Sequence, residues 1–223
     1  MIAFISDVHG NLPALRAVLD RLDEIGVDEL VCLGDTAGYY CFVDECVDVL
    51  RERAVLTLRG NHDDYLVTGR LSGRSQTADA CIAYQRSRVS RPSIEWLASH
   101  QPSGQYAGWR LAHGGWIDPL DEYVRDPTLD YFWGFDGDRF ASGHTHLPLV
   151  LRDGALVYVN PGSVGQPRDG DPRASFAVVD GDRVELHRVE YDVGETQRAM
   201  AATGLPAYVA ESLSYGLPIG SRP

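Results

Sequence analysis

The chain begins with Met1-Ile2-Ala3-Phe4-Ile5-Ser6-Asp7-Val8-His9. The apolar run from Ile2 to Ile5 predicts a buried strand, which is followed by an Asp-x-His pair, Asp7 and His9. Alternate residues of an extended backbone lie on the same side, and open α/β sheets bind ligands at the carboxyl ends of their strands. A carboxylate and an imidazole presented together there form half of a divalent metal site. For this pair alone a polar turn is the simpler interpretation, and the later strands decide between the two.

Two further strands end in the same way. The apolar segment 29–33 closes on Gly34-Asp35, and the segment 54–58 closes on Arg59-Gly60-Asn61-His62-Asp63. Helical periodicity in 12–25 and 43–53 separates the three segments, which predicts parallel strands joined by right-handed crossovers. Parallel strand ends meet at one edge of a sheet. We therefore expect five polar side chains together at that edge: Asp7, His9, Asp35, Asn61 and His62.

The second half of the chain supplies more polar strand ends. A predicted strand at 109–112 ends at His113. A short predicted strand at 139–142 ends at Gly143-His144-Thr145-His146. Three more histidines are therefore candidates for the same site.

The remaining segments complete a single predicted domain. Residues from about 64 to 100 predict a helical insertion rather than a separate domain, since no linker flanks them. From 147 to 189 the pattern predicts an antiparallel hairpin series. We expect one domain that spans residues 1–223 and belongs to the α/β class.

Composition limits the classes of function. The 223 residues carry a formal net charge of −12, which argues against an extended nucleic-acid surface. No apolar stretch approaches the ~20 residues that a membrane-spanning helix needs, and Met1 leads into a strand without a signal-type region. We therefore expect a cytoplasmic protein with no membrane association. The four cysteines lack metal or disulfide spacing and predict reduced structural thiols.

Five of the seven histidines lie at the predicted strand ends, and only His100 and His187 do not. Imidazole is the commonest metal ligand, and its mixture with carboxylate and amide oxygens suits Mn, Fe, Co, Ni or Zn better than Ca. Two carboxylates, one amide and four imidazoles are too many ligands for one tetrahedral ion. They match two ions about 3.5–4 Å apart that share Asp35 as a bridge.

At this point the chain resembles a known family. Its motifs are similar, in order, to those of the calcineurin-like metallophosphoesterases: Asp7-x-His9, Gly34-Asp35, Gly60-Asn61-His62-Asp63, His113 and Gly143-His144-Thr145-His146. The loop at 160–165 (Asn-Pro-Gly-Ser-Val-Gly) and the compact length resemble the small bacterial and archaeal phosphodiesterase-like branch. The resemblance implies a four-layer α-β-β-α sandwich, in which two mixed sheets lie face to face and helices flank them.

The resemblance also implies a role for each site residue. The first metal would be held by Asp7, His9 and His146, the second by Asn61, His113 and His144, and Asp35 would bridge them. His62 would face the substrate as a catalytic residue. The cofactors would be two divalent transition metal ions, with manganese favoured.

The function implied is hydrolysis of phosphodiesters or small phosphorylated metabolites by a binuclear metal-dependent phosphoesterase. A metal-bridging hydroxide would attack phosphorus, and His62 would protonate the leaving oxygen. The partner would be a small phosphorylated substrate, while homo-oligomerisation stays open. No substrate-binding residue is predicted, although one or two of the arginines could contact phosphate.

One stretch departs from the family pattern. Thr36-Ala37-Gly38-Tyr39 follows Asp35, whereas the protein-phosphatase branch carries a further Asp and an Arg there, so protein phosphatase activity is disfavoured. Three alternatives remain: a phosphomonoesterase, a dinucleoside polyphosphate hydrolase, and a non-catalytic scaffold with this fold. The scaffold is the weakest alternative because every ligand position is filled.

Overall fold

The computed structural model of the protein describes residues 1–73 and 75–221. Its strands are β1 (Ile2–Ile5), β2 (Glu29–Cys32), β3 (Leu56–Thr57), β4 (Ser103–Tyr106), β5 (Trp109–Ala112), β6 (Arg139–Ser142), β7 (Pro148–Asp153), β8 (Leu156–Pro161), β9 (Ala174–Asp180) and β10 (Arg183–Val189). Its α-helices are α1 (Leu12–Ile25), α2 (Val43–Glu52), α3 (Asn61–Thr68), α4 (Gln76–Arg86), α5 (Arg91–Ala98), α6 (Val193–Ala201) and α7 (Tyr208–Glu211). Short 3₁₀ helices span Leu129–Phe132 and Ser212–Tyr215.

The first sheet has β1 at its centre. Its strand order is β10-β9-β1-β2-β3, with β1, β2 and β3 parallel to one another and β9 antiparallel to β1. Ile2 pairs with Glu29 on one side and with Val179 on the other. The three parallel strands predicted from the sequence are confirmed. The third is shorter than predicted, because the backbone at Ala54 is left-handed, with φ 52°, and the chain becomes extended only after it.

The second sheet has the order β4-β5-β6-β8-β7 and corrects the predicted hairpin series. Strands β5, β6 and β8 are parallel. The hairpins β7–β8 and β9–β10 are antiparallel as predicted, but they belong to different sheets because the chain crosses over after β8. Strand β4, which the sequence pattern does not predict, pairs with β5 at the edge. The α/β class with two mixed sheets is confirmed.

The two sheets pack face to face through alternate side chains of their strands. The ring of Phe4 meets that of Trp109 in the second sheet edge-on, with 5.1 Å between the ring centroids. Ala3 and Ile5, on the opposite face of β1, belong to the core shared with α1. The outer side of the second sheet is covered by the segment 116–135, which contains one 3₁₀ helix.

The helices form a layer outside the first sheet and around its edge. Helix α1 begins after Asn11, whose side chain accepts from a backbone amide in the first turn, and ends at Gly26 in a left-handed conformation. Helices α3, α4 and α5 pack with α2 around Val47 and Leu97. Across the described part of the chain, none of the helices has the length and apolarity needed to cross a membrane.

Backbone hydrogen bonds extend the parallel pairing beyond the strands. The amide of Asp7 donates to the carbonyl of Gly34, and the amide of His9 donates to that of Asp35, both at 2.9 Å. Gly60 lies against the same loop, where an added Cβ would be 2.0 Å from Asp35 Oδ1 and 2.4 Å from the Asp35 amide nitrogen. This position therefore requires glycine, although its φ of −86° suits any residue.

We expect Gly60→Ala to destabilise the protein by about 1–3 kcal/mol, because overpacking displaces the neighbouring backbone. Gly134→Ala is the matched control, since a Cβ there meets no atom within 4 Å. Urea denaturation of both variants measures the difference. Equal stability of the two variants would contradict the close approach of Gly60 to Asp35.

Candidate metal centre

Loops from both sheets meet in one buried cluster of polar side chains. The first sheet contributes the loops after β1, β2 and β3, and the second contributes those after β5 and β6. All seven side chains that the sequence predicts as ligands lie in this cluster, and none is more than 5% exposed. They are Asp7, His9, Asp35, Asn61, His113, His144 and His146.

The first part of the cluster contains two imidazoles whose lone pairs face each other. His9 Nδ1 donates to the carbonyl of Ala37 at 3.0 Å, and His146 Nδ1 donates to that of Gln166 at 2.5 Å. In the neutral rings the Nε2 atoms therefore carry lone pairs, yet they are only 3.0 Å apart. Asp7 Oδ1 lies 3.3 Å from His146 Nε2 and 3.7 Å from His9 Nε2. Three acceptors thus converge without a proton between them.

The second part of the cluster has the same character. His113 Nδ1 donates to the carbonyl of Leu33 at 2.8 Å, which leaves Nε2 as an acceptor 3.0 Å from Asn61 Oδ1. The Nε2 atom of His144 is buried and has no hydrogen-bond partner within the described residues. One ligand atom from each of His113, His144 and Asp35 falls within a mutual distance of 4.8 Å.

Asp35 lies between the two parts. Its Oδ2 is 3.7 Å from His9 Nε2 and 3.5 Å from His113 Nε2. That oxygen is buried without a hydrogen-bond partner among residues 1–73 and 75–221, whereas Oδ1 accepts from the amide of His62 at 2.9 Å. The free oxygen therefore faces both groups of imidazoles.

Burial favours the neutral form of four imidazoles at this site. It lowers the pKa of His9 and of His146, and it is the main reason that the pKa of His62 falls to about 3 and that of His144 to about 2. The lone pairs are therefore free near neutral pH. A neutral imidazole is the form that binds a metal ion.

Burial also acts on the carboxylates of the cluster. Burial, followed by the nearby charges of Asp63 and Asp7, raises the pKa of Asp35 well above its usual value. A divalent cation would favour the ionised form of Asp35 and of Asp7. The donor set therefore fits transition metal ions that accept nitrogen and oxygen ligands.

The backbone at these residues corrects one step of the sequence argument. Asp7 and His9 do not lie on an extended backbone, since their φ angles are 56° and 52°. Asp35, His144 and His146 are also left-handed, with φ of 55°, 64° and 61°. Conformations of this kind cost about 1–3 kcal/mol each and cluster at functional sites. The side chains meet because the loops turn sharply after the strands.

His62 lies beside the cluster in the first turn of α3. Asn61 precedes it in the same turn, so both residues are helical rather than extended. The ring centroid of His62 is 5.0 Å from that of His9, and one of its nitrogens is within 4.8 Å of ligand atoms of His9 and Asp35. His62 Nδ1 is buried with no partner in the described part of the chain. Its catalytic role stays a prediction.

Asp63 is a supporting residue to which the sequence interpretation assigns no role. Its fully buried carboxylate accepts from the amides of Ala37 at 2.8 Å, Gly60 at 2.9 Å and Thr36 at 3.3 Å. These bonds join the loop after β2 to the start of α3. They also fix the carbonyl of Ala37, which orients the ring of His9. The only sequence signal is its place directly after Asn61-His62.

Two tyrosines, also absent from the predicted site, cover the cluster. The ring of Tyr39 lies 4.6 Å from that of His9 and 4.8 Å from that of His62, measured between centroids. The ring of Tyr123 lies 4.0 Å from that of His144 at an angle of 35°. The two rings thus contact different parts of the cluster.

Comparison with known proteins places these features in a family. A family model described as the calcineurin-like phosphoesterase superfamily domain matches residues 1–183. The chain is 32% identical over 240 residues to an uncharacterized protein of Methanocaldococcus jannaschii, with coverage of 97% of this chain and 98% of that protein. It is 29% identical over 191 residues to the phosphodiesterase YfcE of Escherichia coli, with coverage of 81% and 88%.

A solved structure shares the whole architecture. The metallophosphoesterase from Sphaerobacter thermophilus is 35% identical, superposes with a TM-score of 0.86, and is matched over 97% of this chain and 98% of its own. The family model includes every residue of the buried cluster and His62. The chain therefore belongs to the calcineurin-like phosphoesterase superfamily.

Proposed function

We propose that the protein uses two divalent metal ions to hydrolyse phosphodiesters or small phosphorylated metabolites. The observation that carries the proposal is the 3.0 Å approach of His9 Nε2 to His146 Nε2. Two lone pairs at this distance repel each other unless a cation is shared between them. Family membership, and similarity to a protein named as a phosphodiesterase, support the reaction class.

Two groups of side chains would hold the ions. The first group is Asp7, His9 and His146, the second is Asn61, His113 and His144, and Asp35 would be shared. The central position of Asp35 Oδ2, with no partner in residues 1–73 or 75–221, supports the sharing. We favour manganese. Such ions supply a water-derived nucleophile near neutral pH and neutralise phosphoryl charge.

His62 would hold the proton that the leaving oxygen takes up. Its unpartnered Nδ1 supports this role, since nothing among the described residues competes for that nitrogen. Burial, followed by the charge of Arg168, lowers the pKa of His62 to about 3. A negatively charged phosphoryl group beside the ring would raise that pKa again. Protonation of His62 would therefore accompany substrate binding.

We expect the wild-type protein to bind two metal ions per chain. We expect Asp35→Asn to lose both ions or to lower activity by at least about 100-fold, which is the upper range seen for supporting residues of metal sites. Asp64→Asn is the matched control, because Asp64 is also a buried carboxylate of this region but pairs with Arg70. Metal analysis of the purified variants measures the difference. A wild-type protein with little metal and no activity on bis(p-nitrophenyl) phosphate would instead indicate a scaffold.

We expect faster turnover of bis(p-nitrophenyl) phosphate than of p-nitrophenyl phosphate with the same metal. A monoester carries an additional negative charge, and the stretch from Thr36 to Tyr39 contains no cationic residue to neutralise it. Steady-state kinetics on both compounds with Mn²⁺ measures the ratio. Equal or faster turnover of the monoester would favour the phosphomonoesterase alternative.

We expect His62→Asn to retain both metals and to slow nucleoside or alkyl esters by about 10²–10⁴-fold, the usual contribution of a general acid. Nitrophenyl esters should slow much less, because nitrophenolate leaves without a proton. His187→Asn, in β10 and stacked on Phe176, is the control and should change neither rate.

Two outcomes would contradict the role given to His62. Equal slowing of both ester types with metals retained would mean that the side chain stabilises phosphoryl charge instead. Loss of the metals would make His62 a ligand. Metal analysis alongside the two rate measurements separates these outcomes.

A further inference from the structure

Arg168 lies on the loop between β8 and β9 and is held at two points. Its Nε donates to the side-chain oxygen of Gln166 at 2.8 Å, and its Nη2 donates to the hydroxyl of Tyr39 at 3.2 Å. The guanidinium carbon is 5.8 Å from the centroid of the Tyr39 ring. The side chain is only partly buried, so its other N–H groups remain within reach of a ligand.

Both of the residues that hold Arg168 also contact the buried cluster of candidate ligands. The ring of Tyr39 packs on the rings of His9 and His62. The backbone carbonyl of Gln166 accepts from His146 Nδ1, while its side chain holds Arg168. The position of the guanidinium is therefore set by the same residues that orient two candidate ligands and the candidate acid.

The charge of Arg168 acts on Asp35 and on imidazoles of the cluster without a direct ion pair. No carboxylate of the described residues forms an ion pair with it, although the chain has a net charge of −12. Burial raises the pKa of Tyr39 to about 12, so its hydroxyl accepts as a neutral group. After burial, the charge of Arg168 is the next cause that lowers the pKa of His62 and of His146. A cation that is held by two hydrogen bonds therefore lies close enough to the cluster to act on its titratable groups.

We infer that Arg168 binds a non-bridging oxygen of the substrate's phosphoryl group and so determines the affinity of the site for phosphate anions. The guanidinium is suited to this role because its planar N–H groups match phosphate geometry. The inference rests on the proposed function, because it takes the phosphoryl group to lie at the metal cluster.

The test is the affinity of the Mn²⁺-loaded protein for inorganic phosphate, measured by calorimetric titration. We expect Arg168→Gln to raise the Kd about 10–100-fold, the range for loss of a charge-assisted hydrogen bond, with metal content unchanged. Arg168→Lys keeps the charge but not the planar group, and should give an intermediate Kd. Arg53→Gln is the control, since Arg53 binds Asp23 on the surface and its loss removes the same charge.

Kinetics provide the second measurement. The increase in Kd should be accompanied by a higher KM for bis(p-nitrophenyl) phosphate. Unchanged phosphate Kd and KM in Arg168→Gln would overturn the inference. If Arg168→Gln binds less metal than the wild type, Arg168→Lys distinguishes phosphate binding from a structural role. An intermediate Kd at full metal content supports phosphate binding, whereas phosphate affinity that follows metal content in both variants indicates a purely structural role.

Failure of this inference is distinguishable from failure of the proposed function. A wild-type protein that binds metal and phosphate but hydrolyses no ester would refute the function, and the comparison of Kd values for Arg168 would still be valid. Ester hydrolysis by the wild type with no effect of either substitution on Kd or KM would refute only the role of Arg168.

Discussion

Two carboxylates buried among imidazole lone pairs are the constraint on which the rest of the structure depends. Asp7 and Asp35 are almost inaccessible to solvent, and the acceptor atoms around them face one another without intervening protons. Leaving an ionised carboxylate unpaired in the protein interior is strongly unfavourable. A bound cation would remove that penalty in the folded state alone, so metal binding and folding stability are linked. The site is therefore part of the energetics of the fold.

The backbone holds this cluster in conformations that a chain would not adopt by itself. Five of the candidate ligands have left-handed φ angles, and Gly60 packs directly on the backbone of Asp35. The regular sheets on either side supply the hydrogen bonds and packing that impose these turns. Asp63 adds three backbone hydrogen bonds at the point where the loops meet. Regular sheets thus flank strained loops, and the strain is concentrated at the candidate ligands.

The sequence is sufficient to predict which side chains meet in the buried cluster, because each candidate ligand follows an apolar run and that pattern is local. It does not reveal the left-handed turns, since apolar periodicity carries no information on φ. Nor does it reveal Arg168, whose contact with Tyr39 joins residues 129 positions apart. The crossover after β8 is equally invisible, because both hairpins show the same alternation whichever sheet they enter. The sequence therefore predicts which segments are strands or helices, but it does not predict which distant segments pair with each other.

The central place of β1 has a consequence for synthesis of the chain on the ribosome. One side of this strand pairs with β2, which follows within about thirty residues, but its other side pairs with β9, near the far end of the chain. Until β9 has been made, β1 is an edge strand with an apolar sequence, which is a site for aggregation. The set of candidate ligands is also incomplete until His146 has emerged, so a metal ion held by the whole set could not stabilise the nascent chain before then. Strand β1 therefore gains its second partner, and the cluster its last candidate ligand, late in synthesis.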